Sequence, residues 1–166
     1  MKKNLKFLIA GIITFLLIIV VVAAVLIGKL ITFKKEPVTF EQFGKYASEQ
    51  GYVFEDETSQ MPEGFGKYGE AYKEDGDQEL VISFSECSDV ASAVKLYNKT
   101  QYMITEDYKG AVSSNKNINL KNFSKYEQTS GGIYAAAVRI DNTVLFVKAG
   151  SEGKKELQEF IEGLGY

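Results

Sequence analysis

The sequence predicts an α+β fold: an N-terminal transmembrane helix followed by one small domain, an antiparallel sheet with about three helices packed on it. Three observations carry that prediction. Phe7–Gly28 is a run of 22 residues without a charge. Farther on, runs of alternating apolar residues are separated by short turn signals, the mark of strands joined as hairpins. Three other stretches repeat their apolar residues every three or four positions, the mark of helices with one buried face.

The first run decides location. As a helix it extends about 33 Å at 1.5 Å per residue, the thickness of a bilayer's hydrocarbon core. Lys2, Lys3 and Lys6 precede it and Lys29, Lys34 and Lys35 follow it. The β-branched residues between Ile12 and Val22 do not oppose a helix there, because lipid offers the backbone no competing partner. An all-round apolar helix buried in protein would need a far larger chain to cover it. Secretory leader regions are shorter, about 7 to 15 apolar residues. Residues 1–6 therefore read as a basic cytoplasmic head, 7–31 as an uncleaved signal-anchor helix in the bilayer and 32–37 as a short linker. Residues 38–166 then form an extracytoplasmic domain at the cell membrane. Val22-Ala23-Ala24 leaves cleavage and secretion as the alternative. Lysines flank the run equally, so the basic head and the length of the run, rather than a charge excess, set the orientation. Ala24 and Gly28 form one small-residue pair of the kind that lets helices approach, and one pair is ordinary in such a segment.

The first element of the domain is a helix opened by Thr39, where Thr-x-x-Gln matches a capping box. Phe40, Phe43 and Ala47 recur on its face, with Tyr46 beside them, and Gly51 ends it. Tyr52-Val53-Phe54 reads as a short strand closed by Glu55-Asp56-Glu57, and residues 58–66 as a loop. Two strands then flank Glu74-Asp75-Gly76-Asp77, a hairpin signal. On the second strand Leu80, Ile82 and Phe84 mark a buried face, alternating with Val81, Ser83 and Ser85. Ser88 and Asp89 open the longest helix, to about Tyr108, with an expected inner stripe of Val90, Val94, Tyr97, Gln101 and Ile104.

Residues 109–117 are polar and read as a loop, with Ile118 and Leu120 in a short strand. Residues 123–129, 133–140 and 143–149 read as an antiparallel meander. Its turns are Ser130-Gly131-Gly132 and Asp141-Asn142, the latter suited to left-handed φ. Ala135-Ala136-Ala137 is small on both faces, so something packs closely against it. A last helix from Ser151 or Glu152 carries Leu157, Phe160, Ile161 and Leu164. Consecutive strands joined by tight turns argue for helices on one face of the sheet.

Charge narrows the partners. Residues 1–35 hold six lysines and no acid, leaving 13 cations against 22 anions beyond them, a net charge near −9. That balance opposes nucleic acid, which is bound by neutralising phosphates, and it opposes a domain lying flat on anionic lipid. The single cysteine, Cys87, forms no internal disulfide. A thiol near a helix start can be activated, but no histidine exists to serve as its base, and a small buried residue is the plainer reading.

Catalytic constellations are missing. Without histidine the usual general base, zinc ligand and serine or cysteine partner are gone. No phosphate-binding loop of the Walker type and no nucleophile elbow occurs. Paired carboxylates remain as a route to hydrolysis, with their candidates in turns. Asp75, Asp77 and Glu79 offer oxygens to calcium, but Gly76 stands where a calcium loop would not place it, and the turn explains the acids. No catalytic, cofactor-binding or metal-binding residue is assigned, and no cofactor is implied.

The ten tyrosines all follow residue 45. Tyr68 and Tyr72 would share one face of a strand, and tyrosine suits contact surfaces by combining area with a polar tip. The pair is the candidate partner-binding surface. Asn98-Lys99-Thr100 and Asn122-Phe123-Ser124 are glycosylation sequons, relevant only where exported proteins are glycosylated. The expected role is therefore non-catalytic binding of a membrane or envelope protein, a peptide or a small ligand. The alternatives are an accessory subunit docked through its transmembrane helix and a carboxylate-based hydrolase.

Overall fold

The computed structural model describes residues 18–22, 34–75, 78–108, 110 and 112–166. They divide into two units, Met1–Lys34 and Lys35–Tyr166. In the first, residues 18–22 are helical and expose Ile18, Ile19, Val20, Val21 and Val22. The rest of the expected anchor, residues 7–17 and 23–31, lies outside the described residues. Among the described residues no helix is long and apolar enough to cross a membrane.

The second unit is a small α+β domain built on a seven-stranded antiparallel sheet. Its strands are β1 (Val53–Asp56), β2 (Gly66–Asp75), β3 (Gln78–Cys87), β4 (Val112–Asn119), β5 (Phe123–Ser130), β6 (Ile133–Ile140) and β7 (Thr143–Gly150). Their spatial order is β1-β2-β3-β7-β6-β5-β4. Two meanders thus meet at β3 and β7. The helices are α1 (Phe40–Glu49), α2 (Val90–Asp107) and α3 (Lys154–Gly163), with 3-10 turns at Thr58–Gln60 and Ser151–Gly153.

Local signals explain most boundaries. Thr39 and Gln42 form the reciprocal capping box at the start of α1. Asp89 accepts from the Ser92 amide to start α2. Gly51 takes φ +83° after α1. The β5–β6 turn uses Gly131 and Gly132 at φ +56° and +80°, and the β6–β7 turn places Asp141 at φ +46°. These are the left-handed conformations that two-residue hairpins demand. β2 and β3 pair up to Asp75 and Gln78, while Gly76 and Asp77 between them lie outside the described residues.

The helices occupy both faces, not one. Leu80, Ile82 and Phe84 of β3 join Leu145, Val147 and Tyr134 in a core with Phe40 and Phe43 of α1 and Leu157, Phe160 and Ile161 of α3. Cys87, Ala135, Ala137 and Val144 point the other way and pack with Ala93, Tyr97 and Ile104 of α2. The cause is in β6 and β7, whose near-continuous apolar runs have no polar side to give to water. The alanine triplet is buried on both faces, which lets helices approach from both.

Two expected details move. The inner stripe of α2 is Ala93, Tyr97 and Ile104, with Val90 and Val94 exposed at 47% and 36%. The helix turns its small residue inward because the sheet beneath it, at Ala135 and Ala137, permits close approach. Most of the polar stretch expected as a loop is strand β4, an edge strand whose Ser114, Asn115, Lys116 and Asn117 are exposed. An edge strand gains its order from pairing with β5, so apolar alternation is not required of it.

Candidate functional site

Alternation along β2, β3 and β7 sets up the site. On the α2 side of the sheet, Tyr68 stands beside Ser85 and Val144, and the next row is Glu70, Ser83 and Phe146. The helix crosses β6, β7 and β3 and also touches β5, while Val53 and Glu55 of β1 stay exposed and Tyr68, Glu70 and Tyr72 of β2 half-buried on this face. Because β3 presents two serines there, a groove of about 210 Å³ opens between helix and sheet. Ser83, Ser85, Val144 and Phe146 floor it; Leu96, Lys99, Thr100, Met103 and Asp107 of α2 wall one side, and Tyr68 the other. Met103 is 46% exposed at its rim.

The two tyrosines singled out from sequence do share this face. The Tyr68 hydroxyl donates to Glu70 Oε1, and Ser83 Oγ donates to the same oxygen at 3.4 Å. Burial, then the bond to Glu70, pushes the Tyr68 phenol up to about 12. Tyr72 lies outside the groove and donates to Glu55 Oε1 at 2.9 Å, a bond that raises its pKa. Glu55 and Glu70 are direct cross-strand partners on this same face. Like charges so placed oppose pairing. Among the described residues neither carboxylate forms a salt bridge, and each is held by neutral hydroxyls.

Met103 and Phe146 escaped the sequence reading, which placed Ser83 on the alternate face of its strand without assigning it to a site. The available signal was the small polar face of β3, which leaves a depression beside a covering helix. Cys87 is 3% exposed, and burial, with Asp89 nearby, pushes its thiol up to about 11. It is an inert packing residue, as its surroundings predict. Asn122 is buried and donates to the Lys35 carbonyl at 2.8 Å, so its sequon is inaccessible. Asn98 is exposed on α2.

Carboxylates meet in two other hollows. Glu41 and Asp56 share one on the α1 side. The Lys67 ammonium bonded to Glu41 holds that carboxyl below its usual range, and hydrogen bonds from Thr58 do the same for Asp56. A hydrolytic pair needs one acid that keeps its proton, and this pair holds both ionised. Glu156 and Glu159 line the second hollow, where Glu156 accepts from Lys73 and Tyr52. The acids Asp75, Asp77 and Glu79 fall where side chains lie outside the description. Among the described residues no group of three acids, histidines or cysteines gathers as a metal site would.

No family model matches the chain, and no curated protein matches it. A solved structure, a GTP binding regulator from Thermotoga maritima, is similar at 19% identity with a TM-score of 0.48. The alignment covers 77% of this chain and 85% of that one. A likeness of that size carries no argument about function.

Proposed function

We propose that residues 35–166 form a non-catalytic binding domain, held at the outer side of a cell membrane by a signal anchor over residues 7–31. The groove between α2 and the β2–β3–β7 surface carries this reading. Its floor is partly apolar, its Met103 rim is exposed, and Tyr68 supplies a rigid aromatic wall with a polar tip. Contact sites combine these features. The ionised state of Glu41 and Asp56 and the lack of histidine weigh against catalysis. The surplus of acids beyond residue 35 weighs against nucleic acid.

The test places a photo-crosslinking residue at Met103 of the full chain in its native membrane. A discrete adduct that disappears when Ser83→Trp fills the groove is the expected result. Absence of any adduct at position 103, with the chain intact and folded, overturns the binding site. The anchor is tested separately: the intact chain should need detergent for extraction, and recovery in the water-soluble fraction would refute it. Replacing residues 7–31 by an unrelated anchor should leave the Met103 adduct unchanged. Its loss would favour an accessory subunit docked through the membrane helix.

A further inference from the structure

We infer that the groove takes a peptide segment bearing an apolar side chain and, two positions along, a lysine or arginine. This rests on the groove being a binding site, and it adds the chemistry of the occupant. The apolar half follows from the surfaces of Phe146, Leu96, Val144 and Met103 around the small floor at Ser83 and Ser85. The cationic half follows from what borders them. One strand outward from Ser83 lies Glu70, and one strand beyond that lies Glu55. The carboxylates oppose one another across the β1–β2 pair, and among the described residues no cation bridges them.

Hydroxyl donors fix both acids without neutralising them, Tyr68 and Ser83 on Glu70 and Tyr72 on Glu55. The sheet therefore holds two preoriented, like-charged acceptors beside an apolar depression. A side-chain ammonium or guanidinium relieves the repulsion and donates hydrogen bonds to the carboxylates. Strands lie about 4.8 Å apart, so the depression and the two acids are separated by about 5 to 10 Å. Same-face positions of an extended chain recur every ~6.6 Å, which matches an apolar-x-Lys/Arg spacing. A metal ion fits less well, because two carboxylates and neutral hydroxyls leave a hard cation short of the six to eight oxygens it takes.

The experiment pans a phage-displayed random heptapeptide library on the full chain in phosphatidylcholine nanodiscs, whose lipids carry no net charge. Enrichment of apolar-x-Lys/Arg sequences is expected, with binding abolished by Met103→Lys. Glu55→Gln with Glu70→Gln should weaken these peptides by about tenfold or more, the loss of one charge-assisted contact. The same double variant should melt no lower than the parent, since it removes a repulsion rather than a structural bond. Peptides that bind and respond to Met103→Lys but show no basic preference overturn this inference and leave the groove standing. Peptides indifferent to both sets of variants, or no enrichment at all, overturn the peptide inference together with the groove as its seat. A lower melting temperature for the double variant refutes the account of the two acids as an unrelieved pair.

Discussion

Gly44 in α1 faces the ring of Phe54 so closely that a Cβ at position 44 would stand 2.6 Å from Phe54 Cε1. The absence of a side chain lets the helix lie against β1. Phe54 in turn packs edge-on against Phe40 and Phe43 at centroid distances of 5.5 and 5.7 Å. Gly44→Ala gains about 1 kcal/mol of helix propensity and loses about 1 to 3 kcal/mol to overpacking. A net destabilisation of about 1 kcal/mol is expected in chemical denaturation. Gly44→Ala with Phe54→Val should recover part of it, because the clash and its partner then shrink together. A single variant as stable as the parent would show that the ring moves aside freely.

Lys125 and Glu127 form an ion pair at 2.8 Å with side chains only 11% and 12% exposed. They sit two apart on one face of β5, where Tyr134 also donates to Glu127 at 3.2 Å. Glu127→Gln leaves the lysine beside a neutral amide, and loss of one partner of a largely buried pair costs about 3 kcal/mol. Replacing both, Lys125→Met with Glu127→Leu, should cost much less, since no charge is then stranded. Equal losses in the single and double variants would refute that assignment of the cost.

The legible parts of the fold are those written locally. The capping box at Thr39, the alternation at Leu80, Ile82 and Phe84, and the left-handed turn at Asp141 each depend on a few neighbouring residues. What escaped depends on assembly. The buried face of α2 is chosen by small residues on β6, so Ala93 goes inward and Val94 outward against hydrophobicity alone. β4 is ordered by β5 rather than by its own apolar content. The second helical layer was implicit in the two-sided apolar runs of β6 and β7, which leave no solvent face. For the site, the shared face of Tyr68 and Tyr72 follows from strand periodicity. The groove itself required knowing that α2 stops short of β2, and the opposition of Glu55 and Glu70 required the strand register.

Alkaline pH should unfold the domain through groups that are neutral when folded. Burial pushes Tyr68 and Tyr97 up to about 12 and Cys87 up to about 11. A folded pKa raised above its unfolded value gives stability that is complete below the unfolded pKa and lost as pH climbs through the folded one. For these tyrosines the window runs from about 10 to 12. The melting temperature should hold steady from neutral pH until near 9, decline as the share of Cys87 is lost, and fall more steeply between about 10 and 12. Tyr68→Phe should make the fall shallower, and an unchanged slope would remove Tyr68 from the account. In the same protein Cys87 should react with a thiol reagent near neutral pH only after denaturation.

The Tyr97 hydroxyl is buried without a hydrogen-bond partner among the described residues. Its ring lies 3% exposed among Cys87, Ala135, Ala137 and Val144 beneath α2. Such an oxygen has lost its water and gained nothing in exchange, a cost of about 1 to 3 kcal/mol. Tyr97→Phe keeps the ring and its packing while removing that oxygen, leaving a gap smaller than a methyl group. The neighbouring Arg139 guanidinium does not need the phenol, because it donates to the carbonyls of Asp141, Leu120 and Lys121 and to Ser124 Oγ. Tyr97→Phe should therefore raise stability by about 1 kcal/mol in urea titrations, with an unchanged m-value. Tyr126→Phe is the contrasting case: its hydroxyl donates to Gln128 at 2.7 Å and accepts from Asn115 at 3.1 Å, so the same chemical change should destabilise. If Tyr97→Phe instead lowers stability as Tyr126→Phe does, the Tyr97 oxygen is bonded in solution and its burial carries no penalty.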